Sequence, residues 1–383
     1  MIKREIEATL LKTAKSFPVV FLTGPRQSGK STLLKYSFPD YTYVNLEDPD
    51  RLLLAKEDPR GFLSSLGEKS IIDEAQLYPE LFSYIQGIVD KVNKPGMFIL
   101  SGSQNFLLFE KITQSLAGRV GILELLPFSN YELVNSKISF SNIDDWLFNG
   151  SYPRLYDMKI DPDLYFANYI RTYIERDVRQ IKNITSLEKF IRFMKLLAAR
   201  VGQQLNISNL SNEADIDSKT VRDWLSILEA SYIIKILYPY HPNFNKRYTK
   251  SPKIYFYDSG IVCSLLEIES AKSLNLSPIR GHLFESQIIS EYIKRRYAKG
   301  KTANVYFYRE SEIDEIDLIY SDQGKIHLCE IKSSQTAKSN FAKTVNKLSD
   351  RINKDAKKLV IYSGQEEMHI NNVTYKPWSK FLM

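Results

Sequence analysis

Gly24-Pro25-Arg26-Gln27-Ser28-Gly29-Lys30-Ser31 fits the spacing G-x-x-x-x-G-K-[ST] without a mismatch. Glycines at such positions let a backbone wrap an anion, with successive amide N–H groups converging on it. Lys30 has the reach and charge for the outer phosphates of a nucleoside triphosphate, and the Ser31 hydroxyl can ligate Mg²⁺. The whole run from Gly24 to Thr32 is therefore a candidate nucleotide-binding segment. An acidic pair would complete the chemistry. In Ser70-Ile71-Ile72-Asp73-Glu74-Ala75-Gln76, Asp73 is expected on the metal side with Ser31, and Glu74 is placed to polarise an attacking water. A third polar set, Ser101, Ser103 and Gln104, contains candidates for sensing a γ-phosphate, with Ser103 and Gln104 preferred; an ordinary polar strand-end turn explains any one of them equally well.

These residues need a scaffold that brings separate loops together. Pro18–Thr23 reads as a short buried strand ahead of the glycine loop, and Ser31–Tyr36 as the first turns of a helix behind it. That order aims the loop amides at a positive helix N-terminus. Tyr41–Leu46, Ser70–Asp73, Met97–Leu100 and Val120–Leu125 complete a set of strands alternating with helical segments. The pattern predicts an α/β fold: a parallel sheet between helical layers, with the ligand at the C-terminal ends of the strands.

With 383 residues, 43% of them hydrophobic and 25% charged, several domains with substantial cores are expected. The net charge of +7 permits contact with nucleic acid or an anionic surface without requiring it. Two cysteines, Cys263 and Cys329, and four scattered histidines argue against a disulfide framework or a zinc site. Met1–Ile6 lacks the apolar core of a signal peptide, and no apolar stretch approaches membrane-spanning length. A cytoplasmic protein with no membrane contact is the expectation.

The motifs GPRQSGKS, IIDEAQ, LSGSQNF, SLAGRV and LLPFSNYEL, followed by NGSYPRLY, YIRTYIERDVRQI and EIDLIY…CEIKSS, resemble the AAA-type ATPases (AAA_14) of bacteria and archaea that carry a C-terminal DUF4143 domain. The resemblance spans nearly the whole chain. Ser151 stands where such proteins usually have a second glycine. The resemblance implies ATP as the nucleotide, with Mg²⁺, and an extra arginine to offset charge developing on the γ-phosphate. Arg119 is the first candidate for that arginine and Arg176 the second, acting within the chain or from a neighbouring subunit; a structural salt bridge is the alternative for both.

Beyond the nucleotide motifs, residues 133–200 read as helical with a break at Gly150-Ser151-Tyr152-Pro153, suited to a lid. Residues 205–240 then read as helix, turn, helix and strand, an order resembling a winged helix. Glu213, Asp215, Asp217, Asp223 and Glu229 outnumber Lys219 and Arg222 there, which favours a structural or protein-contact role over DNA reading. A following hairpin with Lys246, Arg247, Lys250 and Lys253 offers a basic wing for backbone contact. Near the C-terminus, Asp317 on one strand and Glu330-Ile331-Lys332 on the next resemble the D…E-x-K core of restriction-endonuclease-like folds, with Glu285 on a preceding helix as the supporting acid. Two carboxylates there would bind Mg²⁺ and the lysine would activate water. Three readings stay open: an active nuclease, an inactive scaffold of that fold, and a chance salt-bridge cluster. The expected divisions are 1–135 (ATPase core), 136–200 (helical lid), 201–258 (winged-helix-like) and 259–383 (nuclease-like), with DNA, a protein partner or a second copy of the chain as possible partners.

Overall fold

A computed structural model describes residues 2–103, 114–173, 186–241, 251–311 and 313–381. Gln104, Arg176, Lys246, Arg247 and Lys250 lie outside the described residues. The chain divides into two compact units. One comprises Met1–Phe128, Ile227–Tyr232 and Lys294–Thr302; the other comprises Ser129–Ser226, Ile233–Ile293 and Ala303–Met383. The divisions expected at 200 and 258 fall inside the second unit.

The first unit is built on strands β1 (Val19–Thr23), β2 (Thr42–Asn45), β3 (Ser70–Asp73), β4 (Phe98–Gly102) and β5 (Val120–Glu124). They form a parallel sheet in the order β2-β3-β4-β1-β5. Strands β1, β3 and β4 are buried throughout, which is why they read as continuous apolar runs rather than as alternation. On one face, Val20, Leu22, Ile71 and Ile99 pack with Leu10 of α1 (Glu7–Ala14) and Leu33 and Leu34 of α2 (Lys30–Ser37). On the other, Phe21, Val44, Ile72 and Leu100 pack with Ala55 of α3 (Pro49–Glu57), Phe62 of α4 (Pro59–Leu66) and Ile85 of α5 (Leu81–Val92). This is the expected three-layer α/β arrangement. Helices α3 and α4 each begin with a proline at the first turn behind an aspartate cap, Asp48 and Asp58. Such a start satisfies a free amide and presets the backbone angle.

The second unit opens with helices α6 (Asn130–Asn135), α7 (Ile143–Asn149), α8 (Pro153–Met158), α9 (Pro162–Tyr173) and α10 (Leu187–Ala198). The break at Gly150 has a physical cause. Its φ is +62°, and a Cβ there would lie 2.5 Å from an Asp258 oxygen and 2.6 Å from the Phe166 ring. The next residue, Ser151, donates its backbone amide to Asp258 Oδ2 at 2.7 Å, so the contact needs no particular side chain at that position.

Helices α11 (Ile207–Ala214) and α12 (Ser218–Ala230) precede the antiparallel pair β6 (Ile234–Leu237) and β7 (Lys253–Phe256). Helices α13 (Ser259–Leu265), α14 (Ala271–Leu276) and α15 (Arg280–Ala298) follow. The C-terminal sheet has the order β12-β13-β11-β10-β9-β8, from β8 (Val305–Arg309), β9 (Glu315–Asp322), β10 (Lys325–Lys332), β11 (Lys357–Tyr362), β12 (Met368–Ile370) and β13 (Val373–Pro377). Helix α16 (Lys343–Ile352) covers one face of it through Val345 and Leu348, packed on Ile316, Ile319 and Leu328. Among the described residues no helix is long and apolar enough to cross a membrane.

Candidate functional site

The glycine loop leaves β1 with Gly24 at φ +150°. A Cβ there would sit 2.1 Å from the Leu125 carbonyl oxygen just beyond β5, so backbone passes where a side chain would be. Gly29 at φ +91° is the left-handed N-cap of α2 and provides no side-chain cap, leaving the first helical amides available to an anion. Lys30 is buried and curls back so that Nζ donates to the carbonyls of Gly24 (3.0 Å) and Pro25 (2.9 Å). Ser28 Oγ is buried in the loop with no hydrogen-bond partner. Arg26 approaches Glu47 at 3.9 Å, and Gln27 and Thr32 are exposed.

Strand order assembles the rest. Because β4 lies between β1 and β3, its C-terminal end falls between the loop and Asp73, with Ser101 beside Leu22 and Gly102 beside Thr23. Asp73 is buried. Ser101 Oγ donates to its Oδ1, Tyr43 Oη donates to its Oδ2 at 2.7 Å, and the Glu74 amide donates to Oδ1 at 3.1 Å. Burial alone would push this carboxyl up, but hydrogen bonds from Ser101, Ser31 and Tyr43 outweigh it and hold the group below its ordinary range. Asp73 therefore stays ionised beside the Ser31 hydroxyl. An anionic oxygen, a hydroxyl, a buried ammonium and open helical amides suit a triphosphate carrying a hard divalent cation.

Glu74 occupies the left-handed region at φ +54°. Gln76 Nε2 donates both to Glu74 Oε2 and to Ser103 Oγ, the latter at 3.2 Å. A Cβ on Gly102 would lie 2.1 Å from Gln76 Oε1, so the bare backbone of β4 makes room for this amide. Gln76 thus ties the water-polarising candidate to the sensing candidate, a role that nothing in its spacing revealed. Strand alternation puts Tyr43 on the same face of β2 as Asn45, but only the β2–β3 pairing, which sets Asn45 opposite Asp73, brings it to the carboxylate. Arg4 carried no local signal. It is only 6% exposed, donates to the carbonyls of Ser28 (2.7 Å) and Leu126 (2.6 Å), and lies 4.8 Å from the Phe128 ring centre. It braces the glycine loop from behind.

Arg119 lies away from this cluster. Its carbonyl accepts from the Val19 amide, which puts it at the N-terminal edge of the sheet. The length of β1, roughly 16 Å of strand, separates it from the glycine loop. Its guanidinium is paired with Asp90 and Ala117 O. Within one chain it does not reach that loop, and the contact it makes is the salt bridge given as the alternative.

The C-terminal residues do converge. Glu285, Asp317 and Lys332 line a cavity of about 640 Å³ in the second unit, together with Lys253, His282 and Glu315. Lys332 Nζ donates to Glu330 Oε2 at 2.7 Å and lies 3.5 Å from Asp317 Oδ2. Asp317 Oδ2 also accepts the Ile331 amide at 2.7 Å, taking over where the β9–β10 backbone ladder ends. Lys253, expected on a basic wing, is instead buried. It heads β7, a strand buried at every position, and a lysine in such a strand must find carboxylates. Its partners are Glu285 and Glu315. Burial pushes Glu285 up to about 7 and pushes Glu330 well up, with Asp317 adding to both.

The family described as an AAA domain matches residues 16–134. Two domains of unknown function, DUF8612 and DUF4143, match residues 140–272 and 280–381. The uncharacterized protein Rv2008c of Mycobacterium tuberculosis is 32% identical over 339 residues, which span 87% of this chain and 74% of that protein. The uncharacterized protein MJ1637 of Methanocaldococcus jannaschii is 26% identical over 259 residues, 66% of this chain and 51% of that one. Among solved structures, the Walker-type ATPase PABY2304 of Pyrococcus abyssi matches with a TM-score of 0.47 at 16% identity, over 70% of this chain and 96% of its own. AMPPCP-bound DnaA from Aquifex aeolicus matches with a TM-score of 0.30 at 14% identity, over 58% of this chain and 85% of its own.

Proposed function

Because this chain belongs to the AAA-type P-loop ATPase family that carries a C-terminal DUF4143 domain, we propose that it binds ATP with Mg²⁺ and hydrolyses the γ-phosphate. The observation that carries this reading is the convergence of Lys30, Ser31, Asp73 and the Gln76-held Glu74 at the C-terminal ends of β1, β3 and β4. Lys30 and the amides opening α2 hold the phosphates. Ser31 and Asp73 hold the cation, which supplies charge neutralisation on the phosphate oxygens. Glu74 orients the water and takes up its proton, while Ser103 contacts the γ-phosphate. Lys30→Ala is expected to weaken ATP affinity about 100-fold. Glu74→Gln is expected to retain ATP while lowering kcat by about 10²–10⁴. Isothermal titration and single-turnover hydrolysis measure both, and parental behaviour in either variant removes the role assigned.

What the ATPase drives has two readings. In one, nucleotide state governs DNA processing by a nuclease-like C-terminal site; in the other, the chain is an ATP-dependent switch for a protein partner, built on an inactive scaffold. The ion pairs that engage the C-terminal carboxylates favour the second. Incubation with plasmid, ATP and Mg²⁺ or Mn²⁺ separates them. Nicking that disappears in both Asp317→Ala and Lys332→Ala supports the nuclease; no nicking and no salt-sensitive DNA binding supports the switch.

A further inference from the structure

The D…E-x-K pattern implies a divalent cation among the C-terminal carboxylates, and the residues present do not fit one. Two lysines enter this basin, and they differ in a way that matters. Lys332 has 36% of its side chain exposed at the rim, so it can swing aside. Lys253 has 4% exposed and has nowhere else to go. Its Nζ donates to Glu285 Oε1 at 3.2 Å and to Glu315 Oε1, while Tyr255 Oη donates to the same Glu285 oxygen at 2.5 Å. Arg309 lies 3.5 Å from the other Glu315 oxygen, and His282 lies 3.9 Å from the second Glu285 oxygen. Burial opposes the charge on Lys253, but Glu285, Asp317 and Glu315 outweigh it and keep the ammonium protonated. A cation arriving between Glu285 and Glu315 would compete for oxygens already engaged by Lys253, Tyr255 and Arg309, against a fixed positive charge. Consistent with this, among the described residues no three His, Cys, Asp or Glu side chains are arranged to hold a metal ion.

We infer that the Lys253 ammonium takes the place a divalent cation would hold among Glu285, Glu315 and Asp317, so that this basin is metal-free and serves as an ion-paired joint between β7, α15 and β9. The inference does not depend on the ATPase reading. Removing the ammonium should create a cation site, because the carboxylates then lose their partner and their mutual repulsion is relieved by closing on a divalent ion.

Mn²⁺ binding to the nucleotide-free full chain, followed by electron paramagnetic resonance, tests this. The parent and Asp317→Asn should take up Mn²⁺ indistinguishably. Lys253→Met should gain about one Mn²⁺ per chain, bound roughly tenfold more tightly than anything in the parent, and lose it again in Lys253→Met/Asp317→Asn. Unchanged ATP affinity in Lys253→Met would show that the first unit is intact. Mn²⁺ uptake by the parent that depends on Asp317 overturns the inference, as does a folded Lys253→Met with no Asp317-dependent gain. Lys253→Gln, which keeps a hydrogen-bond donor, stands in if the methionine variant fails to melt cooperatively. If neither variant folds, the parent against Asp317→Asn decides the matter alone.

Discussion

Arg4 and Glu285 are the two buried ionisable groups whose consequences are most direct. Arg4 satisfies two carbonyls of the nucleotide region, Ser28 O and Leu126 O. Leaving buried carbonyls unpaired costs about 1–3 kcal/mol each, and the share at Ser28 falls on the glycine loop. Arg4→Ala is therefore expected to lower Tm and also to weaken ATP binding about tenfold, with Arg4→Lys recovering part of the binding. Unchanged affinity in a destabilised Arg4→Ala would make it a support of the fold only. Glu285 governs a pH effect of definite sign. Its carboxyl is raised from an ordinary 4.5 to about 7, so the native chain keeps a proton that the unfolded chain releases. The stability it contributes is complete below about pH 4.5 and is lost as pH rises through about 7. In Glu285→Gln that decline should be absent, and the Tm difference between parent and variant should fall across this window. A constant difference would mean that the group titrates normally. Asp73 runs the opposite way: held low, it contributes stability at neutral pH that is lost on acidification through its depressed pKa.

At the scale of elements, the meeting of the loop after β1 with the end of β5 is the tightest constraint on the nucleotide site. Gly24→Ala places a methyl 2.1 Å from the Leu125 oxygen in a backbone region that alanine avoids. The loop must shift, and ATP binding should fall below detection together with a loss of about 1–3 kcal/mol of stability, both readable by titration and thermal melting. The strands themselves were legible, since β1, β3 and β4 are short apolar runs buried on both faces. The glycine loop and the Asp73-Glu74 pair were legible because their chemistry is local in sequence. The order β2-β3-β4-β1-β5 was not, and with it went the partners that arrive from elsewhere: Tyr43 from β2 and Arg4 from ahead of α1. Lys253 was readable and misassigned. A lysine opening the run Lys253-Ile254-Tyr255-Phe256 belongs to a buried strand, and the charged neighbours before it drew it toward a surface hairpin.

The whole molecule imposes a limit that no single motif shows. The first unit is completed by Ile227–Tyr232 and Lys294–Thr302, both distant in sequence from its sheet. Tyr232 Oη donates to Glu124 Oε1 at 3.1 Å, Thr9 Oγ1 donates to Ala298 O at 2.7 Å, and Lys294 Nζ donates to Phe128 O at 2.9 Å. A fragment ending at Phe128 lacks all three contacts and exposes the surface that the buried Tyr232 ring covers. It is expected to melt without cooperativity and to bind ATP weakly, as circular dichroism and titration would report. A fragment matching the full chain on both counts would make those segments dispensable. A unit written in three separate stretches also constrains inheritance. Recombination anywhere between Phe128 and Lys294 would hand a descendant a first unit lacking one or both of its later segments, so this unit is not exchanged intact between genes as a single cassette. Its lineage is tied to that of the segments that follow it, and the regions matched at 16–134, 140–272 and 280–381 should share one evolutionary history.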